Sequence, residues 1–287
     1  MRVLIFGGDG MLGHQLLRQL ARKHETRATL RRPLGEYSTN LFSSANAVGG
    51  VDVRDADAVR EALLVFRPDA VVNAAGIVKQ RDDAEAEAAS QEVNASFPQR
   101  LAGFCRETGA YLVHFSTDCV FSGRKGAYTE ADSPDPVDLY GRSKLLGEVA
   151  GEGCLTLRTS MIGPELSRES GLLEWFLAQK GSVQGYRKAV FSGLTTLEQA
   201  RVIERILAHQ PRISGLFHLS AEPISKLDLL LMIKRRFGLN VEIVPDDRVV
   251  IDRSLDSKRF RDATGYRPPS WEQMVGELAG AKRGGNR

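Results

Sequence analysis

Short apolar runs alternate with helical patterns over roughly the first half of the chain. Residues 3–6 (VLIF) form an uninterrupted apolar run, which is typical of a strand buried on both faces. A glycine-rich stretch follows, and then a helical pattern through Leu16, Leu17, Leu20 and Ala21. Similar patterns predict strands at 27–30, 51–53, 70–76, 111–116 and 156–160, and helices at 58–66, 84–108 and from Tyr140 onwards. This alternation predicts an α/β fold with a doubly wound parallel sheet.

Three local signals refine these elements. Asp55 is expected to cap the helix at 58–66, and Gly109 to end the helix at 84–108. Within that long helix, Asn94 is expected to form hydrogen bonds back to the preceding loop.

After residue 160 the strand–helix alternation becomes less regular. Helices are predicted at 171–179, 226–237 and 271–278, and short strands at 217–219 and 240–244. Trp175 and Phe176 are expected to be core residues, and His218 a packed residue rather than a catalytic one. The small, basic tail at 280–287 is expected to be disordered.

Composition narrows the class of protein. With 39 basic and 36 acidic residues among 287, the formal charge of +3 argues against a nucleic-acid partner. The three cysteines, Cys105, Cys119 and Cys154, are widely spaced and odd in number, which favours a reducing compartment over a disulfide framework or a zinc site. The chain enters a strand without a leader pattern, and no apolar run approaches the ~20 residues of a membrane span. These features predict a cytoplasmic protein without a membrane partner.

The glycine-rich stretch after the first strand has the spacing G-x-x-G-x-x-G. Between a strand and a helix, such glycines allow a tight turn and let backbone N–H groups approach a pyrophosphate at the helix N-terminus. The alternative is a turn that serves only the backbone. The predicted dinucleotide contacts in this turn are Gly7, Gly10, Met11, Leu12 and Gly13. Further contacts are predicted where neighbouring strands end, at Asp52, Val53, Ala74, Ala75 and Gly76.

The end of the second strand carries Arg31 and Arg32. A fold that prefers NAD usually has an acidic residue there for the ribose 2′-hydroxyl. Guanidinium groups suit bidentate recognition of a phosphate instead. We therefore predict NADPH as the cofactor, with NADH possible; the alternative is a pair of loop arginines that face water.

Tyr140 and Lys144 are four residues apart, so a helix would place both side chains on one face. An ammonium beside a phenol is expected to lower the tyrosine pKa, which would suit general acid–base catalysis. Thr117, at the end of the strand at 111–116, could hold the same substrate oxygen. The alternative is a surface tyrosine and lysine with no shared role.

The motifs together resemble the extended short-chain dehydrogenase/reductase family, and within it the dTDP-4-dehydrorhamnose reductase group. Besides the glycine turn, the matching stretches are NAAG at 73–76, FSTDCVFSG at 115–123, YTE at 128–130, LYGRSKLLGE at 139–148 and LRTS at 157–160. The resemblance covers essentially the whole chain. It implies a Rossmann-type domain at 1–160, rejoined by a segment near 190–220, and a smaller substrate-binding cap made mainly of 161–287.

The resemblance also implies roles for particular residues. Tyr140 would protonate the C4 oxygen of a nucleotide-linked 4-keto-6-deoxy sugar, Lys144 would hold the nicotinamide ribose, and Thr117 would hold the carbonyl oxygen. The substrate contacts would include Asp118, Met161 and Arg253, the last at the diphosphate. The implied product belongs to deoxysugar biosynthesis for a polysaccharide or glycoconjugate. A homodimer through the helices at 84–108 and 140–150 is implied as well.

The chain departs from the reductase group at three positions. Cys119 replaces an aromatic residue, Met161 replaces a tryptophan, and Gln15 replaces a glutamate said to bind magnesium in some members, so no metal is expected. A dehydratase would need a second carboxylate after Asp118, where this chain has Cys119. The alternatives that remain open are a nucleotide-sugar epimerase and a non-catalytic NADP-binding regulatory subunit, such as the relative that binds methionine adenosyltransferase.

Overall fold

The computed structural model describes residues 1–78, 84–166, 171–209 and 212–284. Its strands are β1 Arg2–Phe6, β2 Glu25–Thr29, β3 Ala47–Val48, β4 Ala70–Asn73, β5 Tyr111–Thr117, β6 Cys154–Thr159, β7 Met161–Ile162, β8 Gly181–Tyr186, β9 Ala189–Phe191, β10 Leu194–Thr195, β11 Gly215–His218, β12 Ile224–Ser225, β13 Val241–Asp246 and β14 Ile251–Asp252. Its α-helices are α1 Gly13–Leu20, α2 Ala56–Phe66, α3 Ala84–Ser90, α4 Phe97–Thr108, α5 Leu139–Leu146, α6 Leu172–Leu177, α7 Thr196–Ala208, α8 Lys226–Phe237, α9 Lys258–Thr264 and α10 Trp271–Gly284.

A seven-stranded parallel sheet in the order β11-β6-β5-β4-β1-β2-β3 forms the centre of the molecule. Helices α1 and α7 lie on one face with Leu16 and Ile203, and helices α2 and α4 lie on the other with Leu63 and Leu101. Apolar side chains therefore cover both faces, as uninterrupted apolar strands require. The predicted doubly wound α/β fold is confirmed.

The register of the sheet brings the carboxyl ends of the central strands together. Phe6 at the end of β1 pairs with Thr29 of β2 and Asn73 of β4, while Thr117 of β5 pairs with Thr159 of β6. The segments after these residues consequently leave the sheet at one edge, where open α/β sheets bind ligands.

The third strand was predicted to end at 51–53, and this prediction is wrong. The strand is the two-residue β3, which pairs with Ala28 and Thr29. Gly49 and Gly50 follow it, and Gly50 has a φ of +79° that turns the chain away. Val51 stays beside β2 through one backbone hydrogen bond to Leu30 (3.0 Å). A strand of two residues is too short to show a hydrophobic period.

The predicted helix at 84–108 is one helical run, but its middle, Gln91–Ser96, is a π-helix. This segment places the side chain of Asn94 against the loop after β4. Asn94 accepts a hydrogen bond from the N–H of Ile77 (2.9 Å) and donates one to its carbonyl oxygen (2.9 Å). The expected bond back to the loop is confirmed, as are the αL glycine Gly109 at the end of α4 and the Asp55 cap of α2.

The second half of the chain adds smaller sheets beside the large one. Strands β9, β12 and β14 form one of them, and β8 pairs with β13. Strand β11 returns to the large sheet next to β6. Between them, α8 packs on β8 and β13, and α10 packs on α8.

Two predictions for this half are wrong. Phe176 is fully buried, whereas Trp175 keeps 39% of its surface exposed because adjacent residues of the short helix α6 face different ways. The basic tail is helical in α10 as far as Gly284, and residues 285–287 lie outside the described part. His218 is buried and stacks edge-on against Phe121, so it is the packed residue that the sequence predicted. Among the described residues, no helix is long and apolar enough to cross a membrane.

Candidate active site

The glycine-rich turn joins β1 to α1 at the carboxyl edge of the sheet. Gly7 has a φ of +83°, a conformation that favours glycine. A Cβ on Gly13 would lie 1.9 Å from the carbonyl oxygen of Gly7, and a Cβ on Gly7 would lie 2.7 Å from the amide nitrogen of Ala75. Gly10 donates its N–H to the carbonyl oxygen of Gly7 (3.1 Å). The missing side chains let the turn double back tightly and lie against the loop after β4.

The first turn of α1 fits an anion. Within the described residues, its N-cap, Leu12, makes no side-chain capping bond, and the turn contains no acidic residue. Uncapped N–H groups and the positive end of the helix dipole together bind phosphate groups. The turn that contains the predicted contacts is therefore chemically suited to an anion.

His14 supports this turn from the buried side. Burial lowers its pKa, so the ring is neutral. The amide of Gln15 donates to Nε2 of His14 (2.8 Å), so Nδ1 carries the proton and donates to the carbonyl oxygen of Gly10 (2.8 Å). Gln15 is thus occupied inside the fold. Sequence reasoning missed His14, because only the tertiary contact shows which nitrogen faces the turn.

Arg31 and Arg32 follow β2 and are both exposed. The Arg32 guanidinium lies 4.5 Å from the ring centroid of Tyr37, and the Tyr37 hydroxyl donates to Asp9 of the glycine turn (2.8 Å). Tyr37 also accepts the N–H of Arg32 (3.2 Å). Arg32 therefore stands beside the glycine turn, where it is oriented by Tyr37, which the sequence did not reveal.

Asp52 and Val53 follow Val51, whose N–H donates to the carbonyl oxygen of Leu30 just after β2. The Asp52 carboxylate is paired with Arg54 (2.6 Å), which is the largest contribution to its lowered pKa. The carbonyl oxygen of Val53 accepts from Arg100 (3.3 Å). The structure thus keeps this predicted contact segment near the same edge, with the carboxylate already engaged by a neighbouring cation.

The loop after β4 begins with Ala74, Ala75 and Gly76. Asn73 holds it, because its Oδ1 accepts the N–H of Ala75 (3.1 Å) while its Nδ2 contacts Nδ1 of the buried His114 (3.1 Å). The backbone of this loop therefore packs directly on the glycine turn, as the small side chains led us to expect.

Thr117, Tyr140 and Lys144 meet at the end of β5. The Asp138 side chain caps α5 by accepting the N–H of Gly141 (2.7 Å), which starts the helix just before Tyr140. A Cβ on Gly141 would lie 2.2 Å from the carbonyl oxygen of Cys119, so α5 packs directly on the segment after β5. Tyr140, in the first turn of α5, consequently lies near Thr117 at the end of β5.

The protonation of this group differs from the sequence-based expectation. Burial raises the pKa of Tyr140, the neighbouring Cys119 adds to the rise, and the nearby Thr117 hydroxyl only opposes it. Burial also lowers the pKa of Lys144 to about 8, and its ammonium donates to the carbonyl oxygen of Phe115 (2.5 Å). The expected lowering of the tyrosine pKa is therefore wrong for this arrangement, because loss of solvation has the largest effect.

Asp118 faces the cap from the end of β5. It is buried, which raises its pKa, and the largest opposing effect is the charge of Arg253. Arg253 also donates to the sulfur of Cys119 (3.3 Å), so the residue that replaces an aromatic in relatives touches a cap cation. Two of the three predicted substrate contacts are thus brought together.

Lys226 is a second cap cation near Asp118 that the sequence analysis missed. Its pKa is lowered by burial, and the charge of Asp118 is the largest effect that opposes this. Its ammonium lies 4.3 Å from the ring centroid of Phe191. The available sequence signal was a lysine at the first position of α8, where the helix dipole disfavours a cation.

Met161, the third predicted substrate contact, is half-buried in β7 and pairs with Leu194. Another methionine marks a close approach to the glycine turn: a Cβ on Gly171 would lie 2.7 Å from the terminal methyl of Met11. Gly171, just before α6, therefore lies over the glycine turn. No described group of three or more His, Cys, Asp or Glu side chains could hold a metal ion.

Comparison with known proteins gives consistent similarities. Residues 1–182 match the family described as RmlD substrate binding domain. A dTDP-4-dehydrorhamnose reductase from Shigella flexneri is 32% identical, over 97% of this chain and 98% of that protein. The methionine adenosyltransferase 2 subunit beta of Rattus norvegicus is 29% identical over 258 residues, which cover 83% of this chain and 72% of that protein.

A solved structure shows the same fold. The dTDP-4-dehydrorhamnose reductase of Bacillus anthracis in complex with NADP superimposes with a TM-score of 0.80, covering 96% of this chain and 98% of that one. The two sequences are 19% identical, so this similarity shows the fold alone.

Proposed function

The chain belongs to the RmlD substrate-binding-domain family, as its motifs indicated, and we propose that it is an NADPH-dependent reductase of a nucleotide-linked 4-keto-6-deoxy sugar. The observation that carries the proposal is the joint arrangement of Thr117, Tyr140 and Lys144 in a chain that aligns over nearly its whole length with a dTDP-4-dehydrorhamnose reductase. The relative's name makes a dTDP-linked sugar the first substrate to test.

The catalytic chemistry follows from the protonation states. Because the pKa of Tyr140 is raised, its phenol keeps its proton at neutral pH and can deliver it to the C4 oxygen as the carbonyl is reduced. The hydroxyl of Thr117 donates to Oδ1 of Asp118 (3.1 Å), so it would have to turn from that carboxylate to donate to the same substrate oxygen. In that orientation it would stabilise the developing negative charge. The ammonium of Lys144 is anchored on the carbonyl oxygen of Phe115, and its proposed role is to hold the nicotinamide ribose.

NADPH, when bound, supplies the electrons for the reduction. The uncapped first turn of α1 would hold its pyrophosphate, and Arg31 and Arg32 would bind the 2′-phosphate, which favours NADPH while leaving NADH usable. The presence of NADP in the Bacillus anthracis structure supports this choice.

The substrate would lie between the end of β5 and the cap. Asp118 is suited to bind a sugar hydroxyl, and Met161 is proposed to contact the sugar. Arg253 would bind the diphosphate, and Lys226 adds a second positive charge on the same side of the cleft. Two cap cations facing one carboxylate leave a net positive charge, which suits an anionic substrate.

A cytoplasmic homodimer is part of the proposal. The three cysteines, Cys105, Cys119 and Cys154, are free, which fits a reducing compartment. The contact between protomers would use α4 and α5, where Leu146 keeps 60% of its surface exposed. Sedimentation velocity of the wild-type protein and of Leu146→Glu tests the dimer, since a charge at a buried interface should release monomers.

The deciding experiment follows NADPH oxidation by absorbance with 4-keto-6-deoxy sugars linked to dTDP, UDP, GDP and CDP, with NADH in parallel. We expect NADPH to be consumed with one nucleotide class, and Tyr140→Phe to reduce kcat by about 10²–10⁴-fold while the NADPH Kd stays near that of the wild type. Tyr186→Phe, in the cap strand β8, is the matched control. Wild-type turnover in Tyr140→Phe would contradict the mechanism.

The same assay separates the alternatives. An epimerase would change the sugar without net consumption of NADPH. The similarity to methionine adenosyltransferase 2 subunit beta raises a binding role, which would appear as tight NADPH binding without turnover of any panel member. That result would overturn the reductase proposal.

A further inference from the structure

A buried ion pair lies beneath the strand that carries Thr117. Glu148 and Arg158 form a two-point contact, with distances of 2.7 Å from Nε to Oε1 and 2.8 Å from Nη2 to Oε2. Their side chains are only 13% and 4% exposed. Glu148 follows the C-terminal end of α5, and Arg158 belongs to β6, so the pair joins the catalytic helix to the sheet.

The same carboxylate also holds β5. Ser116 donates its hydroxyl to Oε1 of Glu148 (2.7 Å). Ser116 stands between Phe115, whose carbonyl oxygen accepts the ammonium of Lys144, and Thr117. The Glu148 carboxylate therefore holds the residue between Phe115, which binds Lys144, and Thr117.

Stability alone does not explain such a pair. Removing two charges from water costs about as much as their attraction returns, so apolar residues of similar size would often serve equally well. Here Nη1 of Arg158 is buried without a partner among the described residues, and the guanidinium lies 5.2 Å from the ring centroid of Phe121. The ion pair thus leaves one N–H group of Arg158 without a hydrogen bond, and it keeps the Glu148 carboxylate near Lys144.

We propose that Glu148 and Arg158 are positioning residues for the reductase reaction. The Glu148 carboxylate fixes β5 at Ser116, and its charge keeps the Lys144 ammonium protonated inside the fold. This inference rests on the proposed function, because it assigns a task to the same site.

The charges around Lys144 support the second part. Burial lowers the pKa of Lys144 to about 8, and the charge of Glu148 is the effect that opposes this. From β5 the ammonium faces His114, whose pKa burial lowers so far that the ring is neutral, and on its own helix it neighbours the protonated phenol of Tyr140. From β6, Arg158 is paired with the same carboxylate. Loss of the Glu148 charge should therefore move Lys144 toward its neutral form at lower pH.

Two variants test the two parts separately. Glu148→Gln keeps an oxygen for Ser116 but removes the charge, and we expect the alkaline limb of the kcat/KM profile to move about 0.5–1 pH unit lower. Ser116→Ala keeps the charge but frees β5, and we expect kcat to fall about three- to tenfold with an unchanged pH profile and NADPH Kd.

The control is Glu198→Gln. Glu198 on α7 is also a buried carboxylate, held by Arg201 (2.8 Å) and Tyr266 (2.9 Å), so it matches the loss of a buried charge without a contact to β5 or α5 among the described hydrogen bonds. We expect its melting temperature to fall and its pH profile to stay unchanged. A Glu148→Gln profile that overlays the wild type would overturn the charge role, and wild-type kcat in Ser116→Ala would overturn the strand role.

The readouts distinguish this inference from the proposed function. If the wild-type protein turns over no sugar, the reductase proposal fails. The charge of Lys144 is then tested by itself through the NADPH Kd at pH 7 and pH 9, measured from quenching of cofactor fluorescence. A larger loss of affinity at pH 9 in Glu148→Gln than in Glu198→Gln supports the inference, and equal losses overturn it. If Glu148→Gln does not fold, kcat of Ser116→Ala decides the strand role. Glu148→Asp keeps the charge and should retain the wild-type alkaline limb, so a displaced limb in that variant would overturn the charge role.

Discussion

Alanine substitutions at Gly13 and Gly10 should separate the two tasks of the glycine turn. At Gly13 the added Cβ would lie 1.9 Å from the carbonyl oxygen of Gly7, whereas real Cβ contacts begin near 3.0 Å, so backbone must move by about 1.1 Å. The carbonyl carbon of Gly7 (2.8 Å) and the Cα of Gly8 (2.9 Å) are also too close. Overpacking of this kind costs about 1–3 kcal/mol, or a melting temperature lower by roughly 3–9 °C.

At Gly10 the added Cβ would meet only the carbonyl oxygens of Gly7 (3.3 Å) and Ala74 (3.9 Å). The fold should tolerate this methyl group, with a melting temperature within about 2 °C of the wild type. In a dinucleotide-binding turn, however, this glycine lets the backbone approach the pyrophosphate. We expect Gly10→Ala to weaken NADPH binding at least tenfold, which corresponds to about 1.4 kcal/mol.

The assay combines thermal unfolding with titration of NADPH fluorescence on both variants. Gly103→Ala is the control, because a Cβ there has nothing within 4 Å in the middle of α4, and alanine favours a helix by about 1 kcal/mol. A Gly13→Ala protein with wild-type melting and affinity would refute the steric reasoning. Unchanged NADPH affinity in Gly10→Ala would refute the placement of the pyrophosphate.

Three further outcomes are expected. Replacing Arg31 and Arg32 together by alanine should lower the ratio of kcat/KM for NADPH to that for NADH about 10- to 100-fold, because ~1.5–3 kcal/mol of charged hydrogen bonding is lost. Steady-state kinetics measure this ratio, and an unchanged ratio would mean that the two arginines only face water. Because burial lowers the pKa of Lys144 to about 8, the side chain is a cation below that pH and neutral above it. Wild-type kcat/KM should therefore fall on the alkaline side of pH 8, and a flat profile to pH 9.5 would contradict the proposed role of Lys144. Gly147→Ala should destabilise the protein by about 1–3 kcal/mol in thermal unfolding, because the Cβ would lie 1.9 Å from the carbonyl oxygen of Asn94; an unchanged melting temperature would refute this packing.

The local part of the site could be predicted because its signals are short-range. A strand, a glycine turn and a helix in succession determine where the pyrophosphate turn lies, and a four-residue spacing places Tyr140 and Lys144 on one helical face. The π-helical segment around Asn94 was not predicted, although its bond to the loop at Ile77 was. The bond depends on residue type and on a short stretch of chain, whereas the helix variant depends on how α5 packs against it.

Other features join residues that are far apart in the chain. Arg253 reaches Cys119 across 134 positions, and the approach of Lys226 to Asp118 likewise requires the cap to fold over the sheet. No periodicity encodes such pairs. Short elements were unpredictable for a related reason: a two-residue strand and a six-residue helix contain too few positions to show which face is buried, which explains the errors at 51–53 and at Trp175.

The sequence by itself determined the fold class, the dinucleotide turn and the identity of the proposed catalytic residues, because apolar periodicity, glycine spacing and helical spacing act over a few residues. Only the tertiary structure decided their protonation. Burial raises the pKa of Tyr140 and lowers that of Lys144, since desolvation depends on every element packed around a group. It also decided which charges meet beneath the site, where α5, β5 and β6 converge on one carboxylate, Glu148.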